Sequence, residues 1–390
     1  MKKPRLFQRN TNALALSLLL VASPQAGFAE DSAAPAPANP YSSTRTIVLE
    51  DGTSLNIVTV NSPPPSPQAK LAAKSLAVSA VPKNTPGDVK ISDVPAFMWS
   101  YGSSATAGAM IAGYYDRGAY ANMYTGPTDG GCMPLTNASW DKNITTNSHE
   151  CPLSATKQGL DGRTTRGHVD DYYISRNATG PDPYVVNSWT EHTPGECTGD
   201  YMKTSIWFPG SKDAIGSTED INRDGAATFI IRPTGKPINW ESLYALGYDE
   251  FDAGYGLKLF FESRGYEVSD MYNQYIDAYR PYSTSPDLTN TGFTYDQYKA
   301  EINAGRPVMM NLSGLIVVGI GYNESKGKGI IFHDSESYDE HTMIWGGTHK
   351  EVYTHSAVTI VTLAKAINPS ASCGKKFPWP MFLPAITGSK

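Results

Sequence analysis

A serine stands where the chain is expected to enter a buried helix. Ser103 and Ser104 precede a run of small and apolar residues over 105–115, a pattern typical of a helix with most of its surface covered. The positive end of a helix stabilises an anionic side chain, so its first turn suits a nucleophile. A hydroxyl is much less acidic than a thiol and needs a strong base beside it. Ser104 is expected to be only an N-cap or first-turn residue.

Two later segments occupy the places where a base and an orienting acid would be needed. Residues 305–307 (Gly-Arg-Pro) lead into an apolar run over 315–322, and the run over 331–334 (Ile-Phe-His-Asp) follows it. Leu315 at the start of the first run cannot accept a proton. Asp334 could orient a histidine, but no histidine stands at position 315.

In order and spacing, these segments resemble the papain-fold peptidases that process double-glycine leaders (cysteine peptidase family thirty-nine) and their secreted relatives. The resemblance implies an α+β, papain-like fold in which the nucleophile helix packs on an antiparallel sheet. The family has Cys where this chain has Ser103, and His where it has Leu315. Many papain-fold enzymes also have a Gln where Phe97 stands. No catalytic residues are therefore expected, and Asp334 is interpreted as a strand-end carboxylate with backbone partners and no imidazole to orient.

The leading functional interpretation is a secreted, catalytically inactive peptidase homologue that binds a peptide or protein in its residual cleft. One alternative is an active hydrolase of the same fold that uses Ser103 with an unrecognised base. Another is an engineered Cys-to-Ser knock-out of an active cysteine peptidase. A purely structural role through the chain ends is a third. The candidate bases nearby in sequence are His333, His341, His349 and His355.

The composition fits a loop-rich extracellular protein with an acidic surface. The 390 residues include 35 Gly, 28 Pro and 23 Tyr, with only 18% charged residues and a net charge of −6. A negative surface disfavours nucleic acid and anionic membranes as partners. The chemistry expected here requires no cofactor, and the oligomeric state does not follow from the sequence.

The organisation of the chain follows from shifts in its composition. Residues 1–29 have the basic start, the short apolar run and the small residues of a secretory signal, with cleavage expected after Ala29. This places the protein in the periplasm or outside the cell, and the apolar run is too short to span a membrane. The further divisions are an N-terminal arm over 30–90, a peptidase-homology domain over 91–364 with an insertion near 118–235, and a Pro/aromatic tail over 365–390.

The cysteines are expected to form disulfides rather than to attack a substrate. Their number is even, and an exported chain meets an oxidising environment, which together favour two bridges of undetermined pairing. Their wide spacing argues against a zinc site. The four residues are Cys132, Cys151, Cys197 and Cys373.

A partial calcium loop lies in the insertion. Asp220, Asn222 and Asp224 alternate, and Gly225 follows at the position of the sharp turn. This matches the first half of a calcium-binding loop. The twelfth position is Ile231 rather than an acid, so a ligand from elsewhere would have to complete the site. An Asx-rich turn without a metal explains the same residues.

Local patterns predict several elements of the main domain. A hairpin is expected over 46–60 with its turn at Asp51-Gly52. Helices are expected over 256–265 and 294–302, and a strand over 266–268 is expected to follow the first of them. Short apolar strands over 308–312, 315–322, 329–334 and 357–363 are expected to form an antiparallel sheet.

Overall fold

The structure, a computed structural model, describes residues 39–66, 86–120, 123, 133–137, 151, 153–154, 197–204, 225–279 and 292–364. Within these ranges the protein is α+β, with few helices and three antiparallel sheets. None of the described helices is long and apolar enough to cross a membrane. Residues 1–29, the tail, the partial calcium loop at Asp220, Asn222 and Asp224, and the cysteines Cys132 and Cys373 lie outside the described residues.

The elements are numbered in chain order. The helices are α1 (Ser103–Arg117), α2 (Thr198–Tyr201), α3 (Trp240–Leu246), α4 (Ala253–Ser263) and α5 (Tyr295–Asn303), with a 3-10 turn at Asp249–Phe251. The strands are β1 (Ser42–Val48), β2 (Ser54–Val60), β3 (Asp88–Lys90), β4 (Ala227–Ile231), β5 (Ile238–Asn239), β6 (Val268–Tyr275), β7 (Val308–Asn311), β8 (Ile316–Asn323), β9 (Gly329–His333), β10 (Glu340–Ile344), β11 (Thr348–His349), β12 (Tyr353–Thr354) and β13 (Ala357–Leu363).

An eight-stranded sheet is the centre of the molecule. Its strands follow the order β10-β9-β8-β7-β13-β6-β5, and β3 pairs with β8. The central strands are apolar without alternation because both faces of the sheet are covered. Ile316, Val318 and Ile320 of β8 pack in the same cluster as α1, whereas Leu315 and Val317 pack on the other side with the aromatic residues of α5. The sheet thus presents the start of β8 to the start of α1.

Helix α5 shows how local sequence sets an element boundary. The Thr294 hydroxyl accepts from the Gln297 N–H at 3.2 Å, and the Gln297 side chain accepts from the Thr294 N–H at 2.8 Å. This capping box satisfies two amide groups that a helix start leaves without partners. At the other end the Gly305 N–H reaches the Ile302 carbonyl at 3.0 Å, and Gly305 has a φ of 72°.

The N-terminal arm forms a hairpin that belongs to a separate sheet. Strands β1 and β2 pair antiparallel around a turn in which Asp51 accepts from the Thr53 N–H at 2.8 Å. Strand β2 also pairs with β4, so the arm is attached to the main domain through backbone hydrogen bonds. After β2 the chain continues through Asn61 and Ser62, both of which are buried. Ser62 reaches the start of α1.

Cys151 and Cys197 are both buried. Their expected partners include the two cysteines outside the described residues, so the disulfides stay a prediction.

Candidate functional site

The start of α1 is held by a side chain one turn into the helix. The Thr106 hydroxyl donates to the Gly102 carbonyl at 2.8 Å and accepts from the Ser100 N–H at 3.0 Å. These bonds fix the segment that enters the helix, whereas Gly102 has no side chain to cap the amide groups of the first turn. Ser103 is consequently the first residue of the helix, where the amide groups and the helix dipole create a positive potential.

Gly102 is required at this position for two independent reasons. Its φ is 113°, and a Cβ there would lie 2.4 Å from the carbonyl oxygen of Gly225. We expect Gly102→Ala to lower the free energy of unfolding by about 3 kcal/mol or more, since backbone strain and a backbone clash add together. Gly52→Ala is the matched control, because Gly52 also has a positive φ, of 82°, but open space around it; about 1 kcal/mol is expected there. Urea titration of both variants measures the difference, and equal losses would contradict the role of the clash.

Ser103 lies in a closed polar contact rather than in an open cleft. Its side chain is buried, with 2% of the residue exposed. Its Oγ accepts from the Ser62 hydroxyl at 2.7 Å and from the Ile316 N–H at 3.2 Å. Among the described residues no histidine hydrogen-bonds to it. A serine nucleophile must donate its proton to a base, and the described residues place no such base beside this hydroxyl.

Leu315 lies next to the residue that contacts Ser103, but its side chain belongs to the core. Its neighbour Ile316 provides the N–H to Ser103. Leu315 itself is fully buried and packs with Leu312 in the second hydrophobic cluster. Phe97 is likewise a fully buried core residue. The structure therefore brings the segments of positions 103 and 315 together, and the described residues provide no base beside Ser103.

The arm packs over the junction at which the start of β8 contacts the start of α1. The Trp99 indole donates at 3.2 Å to the carbonyl of Ser62, the residue whose hydroxyl contacts Ser103. At the other end of the hairpin, the Asn39 side-chain amide donates to the carbonyl of Ser313, just before β8. We call residues 39–41 and 61–62 the strap. The strap contacts the segments on both sides of this junction, so it adds to the burial of Ser103. Sequence reasoning left open how the arm is used and did not identify this contact.

Asp334 follows β9 and is fully buried. Its Oδ1 accepts from the N–H groups of Glu336 and Ser337 at 2.9 and 3.0 Å, which is the strand-end arrangement expected from the sequence. The Ser335 carbonyl accepts from the Trp99 N–H at 2.7 Å. The end of β9 is thus joined to the segment that precedes Ser103, so the three positions compared with the peptidases lie in one region.

The expectation that Asp334 has no imidazole beside it is wrong. Its Oδ2 lies 3.1 Å from His341 Nε2, 3.5 Å from His349 Nε2 and 3.2 Å from Lys350 Nζ. Burial alone would raise the pKa of Asp334, but the two histidines and the Lys350 ammonium outweigh it and hold that pKa well below its ordinary value. Both histidines had been considered only as possible bases for Ser103. No spacing motif links Asp334, His341 and His349, which is why sequence reasoning missed the group.

This group is not a relocated Ser-His-Asp triad. The Ser337 hydroxyl lies 2.9 Å from His341 Nε2, the same nitrogen that faces Asp334. In a triad the serine and the aspartate use opposite nitrogens of the ring. One nitrogen cannot take a proton from a hydroxyl and be oriented by a carboxylate at once.

His341, His349 and Asp334 do form a candidate metal-binding group. Their nearest ligand atoms all lie within 4.8 Å of one another. Among the described residues, this is the group of His, Cys, Asp or Glu side chains that could hold a metal ion. Asp220, Asn222 and Asp224 lie outside the described residues.

The comparison with known protein families gives one match. The profile of the Peptidase_C39 like family matches residues 219–356, which is less than half of the chain. The matched range includes Leu315 and Asp334 and excludes α1 with Ser103. No curated protein gave a significant match. No solved structure gave one either. The match indicates a peptidase-related protein.

Proposed function

We propose that this peptidase-related protein is a secreted, catalytically silent homologue of the papain-fold cysteine peptidases that holds a polypeptide segment in its former cleft. The observation that carries the proposal is the state of Ser103. Its Oγ accepts two hydrogen bonds, is buried, and has no histidine partner among the described residues. The secreted location rests on the sequence of residues 1–29.

The chemistry of the site supports the absence of catalysis. A thiol at a helix N-terminus beside an imidazolium loses its proton at neutral pH. A serine hydroxyl does not ionise under the same influence and depends on a base. The backbone of Ile316 and the hydroxyl of Ser62 take the places where such a base would have to approach.

The strap supports the binding part of the proposal. A segment of backbone at residues 61–62 already lies against Ser103 and Trp99, with its carbonyl bonded to the indole. The junction of α1 and β8 therefore accepts a polypeptide segment through backbone and small-side-chain contacts. A second polypeptide would have to displace the strap. We propose a peptide or protein as this partner.

A binding and cleavage assay tests the proposal. The full chain and the variant Ser62→Arg, whose long side chain cannot fit against Ser103, are incubated with a fluorescent peptide library. We expect both to leave every peptide intact and the variant to bind peptides more tightly. Thr59→Arg is the matched control for added charge, since Thr59 is partly buried on β2 away from Ser103. Cleavage by the unaltered chain would overturn the silent site, and absence of binding by both proteins would overturn the peptide-holding role.

A further inference from the structure

The carboxylate of Asp334 is surrounded by more proton donors than it can satisfy. His341 Nε2, His349 Nε2 and Lys350 Nζ all approach Oδ2 at 3.1, 3.5 and 3.2 Å. A carboxylate oxygen has about two lone-pair sites. Oδ1 cannot relieve the crowding, because it already accepts from two backbone N–H groups. One of the three groups is therefore left without a proper hydrogen bond.

That group is His349. Its Nε2 is buried and makes no hydrogen bond, although it points to within 3.5 Å of Asp334 Oδ2. Only 8% of the residue is exposed, so water cannot readily serve as its partner. A buried nitrogen without a partner carries a free-energy cost of about 1–3 kcal/mol. A ligand that binds to the nitrogen would remove this free-energy cost.

We infer that Asp334, His341 and His349 bind a divalent transition-metal cation of the zinc type. Two imidazoles and one carboxylate are the ligands that such cations prefer, whereas calcium and magnesium prefer oxygen alone. A metal removes the crowding, because both Nε2 atoms then donate lone pairs and need no proton.

The distances from Asp334 Oδ2 to the two histidine nitrogens fit this assignment. Ligands that surround zinc tetrahedrally at about 2.0–2.1 Å lie roughly 3.3 Å from one another. The two contacts of Asp334 Oδ2 with the histidine nitrogens, 3.1 and 3.5 Å, lie on either side of that value. Three protein ligands leave a fourth position for water, and the His341 side chain, 23% exposed, provides a route from solvent.

The elements around the site hold both rings in place. His341 lies on β10 directly opposite Phe332 of β9, and His349 lies on β11. The fully buried Phe332 ring is 5.6 Å from the His341 ring and 5.1 Å from the His349 ring. Strands β9 and β10 pair in the central sheet, whereas β11 pairs with β12 in a separate sheet. A metal here would join β11 to the β9–β10 pair.

Lys350 is the natural competitor of the cation. Its ammonium bridges Asp334 and Glu336 in this structure. Its side chain is 43% exposed and can turn into solvent when a cation arrives. Removing its charge should therefore favour the metal, because the repulsion between the two cations disappears.

The inference is tested by measuring zinc binding to the purified, untagged full chain after a chelator has removed any bound metal. We expect one equivalent of Zn²⁺ to bind in competition with a chromophoric chelator, and Co²⁺ to give the intense visible bands of a four-coordinate site. His341→Gln and His349→Gln should each weaken binding by at least about a hundredfold, the upper end of what even supporting residues contribute. His333→Gln is the matched control, because this buried histidine precedes Asp334 but contacts the Asp339 carbonyl instead; its affinity should match that of the unaltered chain.

Two further measurements keep the test decisive if a ligand variant folds poorly. Lys350→Met, at a partly exposed position, should bind Zn²⁺ at least about fivefold more tightly, since a repelling charge is lost. The melting temperature of the unaltered chain should rise with the Zn²⁺ concentration, as it does for any ligand that binds only the folded state. A folded chain that binds no stoichiometric Zn²⁺, or ligand variants with unchanged affinity, would overturn the inference. The result does not depend on whether the Ser103 region is catalytic.

Discussion

Replacing Ser103 by Cys and Ile316 by His together is expected to create a reactive thiolate that Ser103→Cys alone does not have. The side chain at position 316 packs in the same cluster as α1, whereas Leu315 packs on the opposite face of the sheet. The new thiol would lie at the start of α1, beside the Ile316 N–H. Without a base its pKa should remain near the ordinary value of about 8.5, whereas an imidazole at position 316 should lower it below about 7. Peptide cleavage should then be faster in the double variant by about a hundredfold or more, since loss of a catalytic base costs orders of magnitude.

The thiol pKa is the primary readout because the strap covers the site. The pH dependence of iodoacetamide modification, followed at position 103 by peptide mass spectrometry, separates this thiol from the four native cysteines. Ser103→Cys with Ile316→Asn is the matched control, since it adds a polar side chain at the same position that is not a base. Equal thiol pKa values in all variants would show that a side chain at position 316 does not reach the start of α1. Adding Ser62→Arg to the double variant should increase cleavage further, because it displaces the strap from position 103.

Acidification is expected to destabilise the fold through His355. This residue is fully buried against the edge of Trp345, with ring centroids 4.6 Å apart. Burial lowers its pKa from 6.5 to about 3, because the charged imidazolium is poorly solvated inside the protein. Its folded-state pKa lies below the unfolded one. The neutral ring therefore contributes its full stability above about pH 6.5, and that contribution is lost as the pH falls from 6.5 towards 3.

The size of this effect follows from one proton taken up on unfolding. Between pH 6.5 and pH 4.5 the His355 contribution should fall by about 2–3 kcal/mol, at roughly 1.4 kcal/mol per pH unit. Urea unfolding at both pH values should show this loss in the unaltered chain relative to His355→Phe. The comparison is needed because Asp252 acts in the opposite direction: burial raises its pKa to about 6, so its protonation on acidification favours the folded state. Equal pH dependence in the two proteins would contradict the assignment to His355.

Much of the sheet could be read from the sequence because its signals are local. The strands expected over 308–312, 315–322 and 357–363 lie close to β7, β8 and β13. The helix expected over 294–302 coincides with α5, since Thr294 and Gln297 form their capping box within one turn. Each of these elements depends on residues only a few positions apart.

Elements without a local signal were missed or shortened. A strand was expected only around 266–268, yet β6 extends from Val268 to Tyr275. Its polar residues are buried through tertiary contacts: the Asn273 amide donates to Asp252 at 2.6 Å and its oxygen accepts from Thr359 at 2.7 Å. An apolar pattern cannot predict such a strand, because the partners come from α4 and β13.

The sequence by itself determined that a serine and a leucine stand at the two reactive positions of the resembled peptidases, and that an acid stands at the third. Only the tertiary structure decided what surrounds them. The Ser62–Ser103 contact joins residues 41 positions apart, and the Ile316–Ser103 contact joins residues 213 apart. His341 and His349 meet at Asp334 because β10 pairs with β9 and the chain then returns through β11. Such meetings depend on how strands and helices pack, and no short-range pattern of residue types specifies them.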